Sequence, residues 1–138
     1  QSAGALEQTL VELATVVSDP TPKLILADEL EAITEPGAGA RIIAGMLLAA
    51  EAQRDTTMML VTHLAPAILE ATQRDDLRVD GIEASGLGAD LELMVDRTPK
   101  RNHLARSTPE LIVKRLVEKS DGHAKALFAD ILEMFAQP

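Results

Sequence analysis

The sequence predicts an α/β fold, a mostly parallel sheet flanked by helices and followed by a C-terminal helical pair. Three observations predict it. Leu24-Ile25-Leu26-Ala27 is a short, continuous apolar run that leads straight into Asp28-Glu29, the pattern of a strand buried on both faces. Thr57-Met58-Met59-Leu60-Val61-Thr62 is a second such run, ending at His63. Between them lies an Ala-rich stretch with Ile43, Met46, Leu47 and Ala50 on one helical stripe. Strand, helix, strand is the order of a parallel sheet.

The elements follow in order. Leu6, Leu10, Leu13 and Val17 recur at helical spacing, so a helix is expected over about 4–17, with Ser2 as its N-cap and Gly4 leaving room for close approach at the first turn. Ser18-Asp19-Pro20-Thr21-Pro22 stops it in a rigid turn. After the first strand, Glu35-Pro36-Gly37-Ala38-Gly39 reads as a loop and 40–54 as the second helix. The Met58-Met59 pair reads as core. A short helix is expected over 66–72. Residues 78–84 and 91–97 read as two strands, paired antiparallel across a loop with Gly86 and Gly88. Residues 97–106 form a polar, basic connector. Ser107 and Glu110 have capping-box spacing around Pro109, which predicts a helix start. Ser120-Asp121-Gly122 ends that helix, and Leu127, Phe128, Ile131, Leu132 and Phe135 mark the last one.

Composition excludes several functions. The chain has 138 residues, 46% of them hydrophobic, enough for a globular core. It has no Cys, so neither a disulfide framework nor a thiolate metal site is available, which fits a reducing cytoplasm. No apolar run approaches the length of a membrane span, and no membrane partner is expected. The net charge of −9 makes most of the surface a poor nucleic-acid binder. Trp and Tyr are absent and Phe occurs twice, so base-stacking platforms are nearly excluded. Any DNA contact is therefore expected mainly from other parts of the intact protein.

The chemistry concentrates at the strand ends. In open α/β sheets ligands bind at the carboxyl ends of the strands, where Asp28-Glu29 and His63 fall. One carboxylate can hold Mg²⁺ and its neighbour can orient or deprotonate a water, two tasks that nucleoside triphosphate hydrolysis needs close together. The start of the first helix, with its unsatisfied N–H groups, is a ready anion site. The plainer alternative is a core strand followed by two solvated acids, an ordinary helix cap at Ser2, and a histidine that merely ends a strand. Glu31 and Glu35 read as solvated or interface acids. Arg97, Lys100, Arg101 and Arg106 with His103 make the one basic segment of an acidic chain. It reads first as a solvated loop, and second as a contact to DNA backbone or an acidic partner.

Taken together, Ser2-Ala3-Gly4-Ala5-Leu6-Glu7, the strand ending in Asp28-Glu29 and the strand ending in Thr62-His63 resemble, in order and spacing, the signature motif, Walker B motif and switch histidine of ABC-type ATPases. Leu30-Glu31-Ala32-Ile33-Thr34-Glu35-Pro36-Gly37 and the tail Thr108-Pro109-Glu110-Leu111-Ile112-Val113-Lys114-Arg115 make the chain look most like the MutS family, in its archaeal MutS-related branch. The resemblance implies a P-loop NTPase half-domain whose function is ATP hydrolysis in a DNA repair or recombination protein, with ATP driving a dimer conformational change on DNA. By the same resemblance, Asp28 would bind Mg²⁺, Glu29 would polarise the attacking water and His63 would contact the γ-phosphate. Ser2, Ala3 and Gly4 would cap the γ-phosphate of a nucleotide held by the partner of a homodimer, and 30–39 would face that partner.

The chain departs from the family at the loop after Walker B, which lacks the usual Gly-Thr-Ser. No Gly-x-x-x-x-Gly-Lys-Ser/Thr occurs in these residues, so the Walker A segment is expected upstream of Gln1. Residues 1–106 would then be the C-terminal part of the ATPase core, and 107–138 a helical pair that either covers the sheet or joins two ATPase domains. Two other classes remain: an SMC-type ATPase head, and a non-catalytic dimerisation module of the same fold.

Overall fold

Apolar runs flanked by Pro and Asp form the two strands of a parallel sheet. In the computed structural model, which describes residues 3–137, these are β1 (Lys23–Asp28) and β2 (Thr56–Val61). Each is one residue longer at its start than the apolar run alone suggests. Lys23 pairs with Thr56 and the register continues without a slip to Asp28 opposite Val61. The fold is α/β with a small sheet. β3 (Ala84–Leu87) and β4 (Leu93–Val95) make a separate antiparallel hairpin.

The helices are α1 (Ala3–Ser18), α2 (Pro36–Glu51), α3 (Ala65–Thr72), α4 (Pro109–Lys119) and α5 (Gly122–Met134). α2 starts four residues before its expected start, absorbing the supposed loop. Pro36 stands at the first helical turn, where its fixed φ suits the helix and its missing N–H costs nothing. Gly39 N–H already donates to the Glu35 carbonyl at 2.8 Å. A single 3-10 turn, Leu30–Ile33, joins β1 to α2.

The chain divides into two compact units between Leu77 and Arg78. In the first, Ala40, Ile43 and Ala44 of α2 meet Ile68 of α3, with Leu30, Leu47, Leu60 and Leu64 packed around them. Small residues let α2 lie close to its neighbours, and Ile43 is the largest fully buried side chain among the described residues. β1 and β2 turn Ile25, Ala27, Met58 and Leu60 inward. Their other face is open: Leu24, Leu26, Met59 and Val61 are 61%, 68%, 62% and 60% exposed. This corrects two expectations. The strands are not covered on both faces, and Met59 is not core. Strict alternation sends every second side chain outward, and these residues supply no layer for that side.

In the second unit, the strands of the hairpin lie later than the expected 78–84 and shorter than the expected 91–97. Residues 78–83 run instead beside the 97–106 connector, joined by a bridge between Gly81 and Lys100. Gly86 pairs with Met94 inside the hairpin rather than in its loop. α4 and α5 pack on each other. Thr108, not Ser107, is the N-cap of α4 and makes no side-chain cap bond. Glu110 pairs with Arg106 at 3.4 Å instead of closing a capping box. Among the described residues, no helix is long and apolar enough to cross a membrane.

Candidate functional site at the carboxyl ends of the parallel strands

The parallel register decides where the predicted site residues fall. Asp28 closes β1 opposite Val61, which closes β2. The Glu29 amide donates to the Val61 carbonyl at 3.4 Å, so Glu29 comes alongside the start of Thr62-His63. Two segments 33 residues apart in sequence, β1 and β2, thus end together.

Glu29 turns the chain out of the sheet in the left-handed region, at φ 56° and ψ 32°. A residue with a Cβ pays for this conformation. It is stabilised by the 3-10 turn that follows, in which Ala32 N–H donates to the Glu29 carbonyl at 3.2 Å. Alternation leaves Asp28 on the open face of the sheet, in line with Leu24 and Leu26, and Glu29 is exposed beside it. Among the described residues neither carboxylate has a hydrogen-bond or ion-pair partner. The pair is therefore available to a cation or a water.

His63 is exposed at the end of β2. Its neighbours are fixed: the Leu64 amide donates to Thr62 Oγ1 at 2.9 Å, and Leu64 is the N-cap of α3. The Thr62 hydroxyl was not singled out by sequence reasoning. Its signal is a Thr two residues before a helix N-cap, the setting of a side-chain turn.

Ser2 lies outside the described residues. α1 begins at Ala3, and a Cβ built on Gly4 would meet nothing within 4 Å. Among the described residues nothing requires a glycine there. The other end of α1 is tied to the amino edge of the sheet. Gln53 Nε2 donates to the Val17 carbonyl, while Gln53 Oε1 accepts from Thr56 Oγ1 at 3.1 Å and Lys23 Nζ at 3.3 Å. The start of α1, Ala3, is thus about 21 Å along the helix from the tie at Val17, at 1.5 Å per residue.

The basic connector has local partners. Glu83 accepts from the Arg106 amide at 2.7 Å and faces His103 Nε2 at 2.9 Å, with Lys100 Nζ at 4.0 Å. Those contacts, the Arg106 amide first and His103 second, hold the Glu83 carboxyl below the usual glutamate range. Asp80 is lowered likewise, by Arg78 first and then the Asn102 amide. A cleft of about 250 Å³ beside Glu83, Lys100 and Arg106 is lined by both signs of charge. The segment behaves as a latch closed on 78–83.

Comparison with known proteins bears on the whole chain. It is similar to a MutS-family protein. The relative is the DNA-binding protein MutS2 of Pyrococcus furiosus, 45% identical over 135 residues, which are 96% of this chain and 23% of the relative. The chain thus spans about a quarter of that relative's length. No family model matches the chain and no solved structure matches it.

Proposed function

We propose that this chain is the water-activating half of an ABC-type, MutS-like ATPase domain, serving DNA repair or recombination. The observation that carries the reading is that Asp28 pairs with Val61 and the Glu29 amide bonds the Val61 carbonyl, so that Asp28-Glu29 and the following Thr62-His63 leave the carboxyl ends of two parallel strands side by side. Likeness to a DNA-binding MutS2 supports the cellular role.

The donor set fits Mg²⁺. That ion takes oxygen ligands and commonly only one or two protein carboxylates, phosphate and water supplying the rest. Asp28, exposed and without a side-chain partner among the described residues, would hold it. Bound there, Mg²⁺ would offset charge developing on the phosphoryl oxygens. Glu29 orients the attacking water and takes up its proton, and His63 contacts the γ-phosphate. The first turn of α1, Ala3 and Gly4 with Ser2 before them, offers N–H groups to the γ-phosphate of ATP held by a second copy. The open space at Gly4 supports an approach from outside the chain.

The open sheet face supports the rest. Leu24, Leu26, Met59 and Val61 form an apolar surface that further chain, including a Walker A segment, would cover. Exposed apolar residues on the last helix, Leu127 and Met134, and Phe135 at its C-cap, suit a dimerisation element. The homodimer would act in the cytoplasm, with DNA held by other parts of the protein.

The test is ATP turnover of the intact protein, wild type against Glu29→Gln, beside gel filtration with ATP and Mg²⁺. Loss of turnover with an ATP-trapped dimer is expected. Normal turnover would return Asp28-Glu29 to being the solvated end of a strand.

A further inference from the structure

We propose that Thr62 is a positioning residue for His63, an inference that rests on the hydrolytic reading above. The Leu64 amide donates to Thr62 Oγ1 at 2.9 Å, and His63 is the residue spanned by that bond. A hydroxyl that accepts the amide two residues on closes a turn in place of a backbone bond and fixes the path of the chain.

Both flanks of the turn are anchored. On one side Val61 ends β2 and its carbonyl accepts the Glu29 amide at 3.4 Å. On the other, the Leu64 carbonyl accepts the Ile68 amide at 2.9 Å, and Leu64 packs on the Ile68 core cluster. Leu64 is the N-cap of α3 and makes no side-chain cap bond, so the Thr62 hydroxyl is the side chain that engages this helix start. The exposed imidazole is thereby carried on a short arch between a strand rung and the core. The same arch lies beside Glu29, so its shape sets the spacing between the water-orienting carboxylate and the phosphate-contacting ring.

Valine has nearly the shape of threonine and suits a strand equally well, but it leaves the Leu64 amide without its acceptor. Serine keeps the acceptor. Displacement of a reacting group by about 1 Å can cost on the order of 100-fold in rate. In the intact protein, Thr62→Val should lower kcat for ATP about 10-fold or more, with KM changed far less, as expected where a transition-state contact is lost. Thr62→Ser should restore kcat to within about threefold of wild type. Combined with His63→Ala, Thr62→Val should add nothing further, because the two act as one unit. Leu64 amide exchange should quicken in Thr62→Val and not in Thr62→Ser, a readout independent of turnover.

Wild-type kcat in Thr62→Val, or a loss that adds to that of His63→Ala, overturns the positioning role and leaves the hydrolytic reading standing. Wild-type turnover in His63→Ala overturns the reading and this inference with it. Should Thr62→Val not fold, Thr62→Ala compared with Thr62→Ser gives the same contrast: equal kcat in the two overturns the role, and loss in the alanine variant alone supports it.

Discussion

The Glu29 amide donates to the Val61 carbonyl at 3.4 Å, one step beyond the last rung of the sheet, and it does so from the left-handed region at φ 56°. The residue that carries the proposed water-orienting carboxylate therefore sits in a conformation that glycine would adopt more easily. Strain of this kind persists where the surrounding structure imposes it, and it concentrates at functional sites. Glu29→Gly should stabilise the folded chain by about 0.5–1 kcal/mol relative to Glu29→Ala, while both variants lose turnover. Urea denaturation gives the comparison. If Glu29→Ala is as stable as Glu29→Gly, the left-handed turn is not costly.

Gln53 is a second junction. One side-chain amide ties the end of α1, through the Val17 carbonyl, to the starts of both strands, through Thr56 and Lys23. Gln53→Ala should cost about 1–3 kcal/mol, the usual range for half-buried polar groups deprived of a partner. Amide exchange at Lys23, whose N–H donates to the Asp55 carbonyl at 3.0 Å, should quicken with it. A change below about 0.5 kcal/mol would mean that water replaces the glutamine without cost.

Glu83 makes the second unit sensitive to acid. Its carboxyl is lowered in the fold by the Arg106 amide first and by His103 second. A lowered carboxylate contributes stability above its unfolded pKa, and that contribution is lost as the pH falls through the folded value. The latch should therefore weaken below about pH 4, the ordinary glutamate range, and Glu83→Gln should flatten that part of the stability profile. An unchanged acid limb in Glu83→Gln would assign the loss to other carboxylates, with Asp80 the next to substitute.

Gly81 permits the latch to close. A Cβ there would lie 2.6 Å from the His103 carbonyl oxygen and 2.8 Å from both the Cβ and the amide nitrogen of Ala105. Two of those three atoms are backbone and cannot turn aside. Gly81→Ala should destabilise the second unit by about 1–3 kcal/mol, the range for forced overpacking. Faster exchange at the Lys100 amide, which donates to the Gly81 carbonyl at 2.8 Å, should accompany it. Protection equal to wild type would mean that the connector moves away without cost.

The strands and helices of the first unit were legible because apolar runs and helical stripes are local signals. Leu24–Ala27 and Leu60-Val61 announce strands whatever surrounds them. The open face was not legible. A continuous apolar run reads as buried on both sides, and only the fold shows that Leu26 and Met59 face outward. The second unit was harder for another reason. It is organised by polar ties between 78–83 and 97–106, and such ties leave no periodicity. The basic residues of that connector read as a solvated patch, whereas Lys100, His103 and the Arg106 amide converge on Glu83. Asp28, Glu29 and His63 were legible as candidates from their strand-end positions. The Thr62 bond was not, since a lone hydroxyl beside a histidine has no pattern of its own.

Leu26 and Met59 pair across β1 and β2 on the open face, at 68% and 62% exposure. Fully burying a side chain of this size is worth about 1.5–3 kcal/mol. If further chain covers this face in the intact protein, the pair is core there and surface here. Leu26→Thr with Met59→Thr keeps strand propensity while removing apolar area. In this chain alone the double variant should be at least as stable as wild type and should bind less of a hydrophobic dye. In the intact protein the same pair should lower stability by several kcal/mol, at the rate given for two buried apolar side chains. Thermal unfolding of the two forms, side by side, makes the comparison. Equal tolerance in both would mean that the face stays open in the intact protein, and the sheet would then end at β1 and β2.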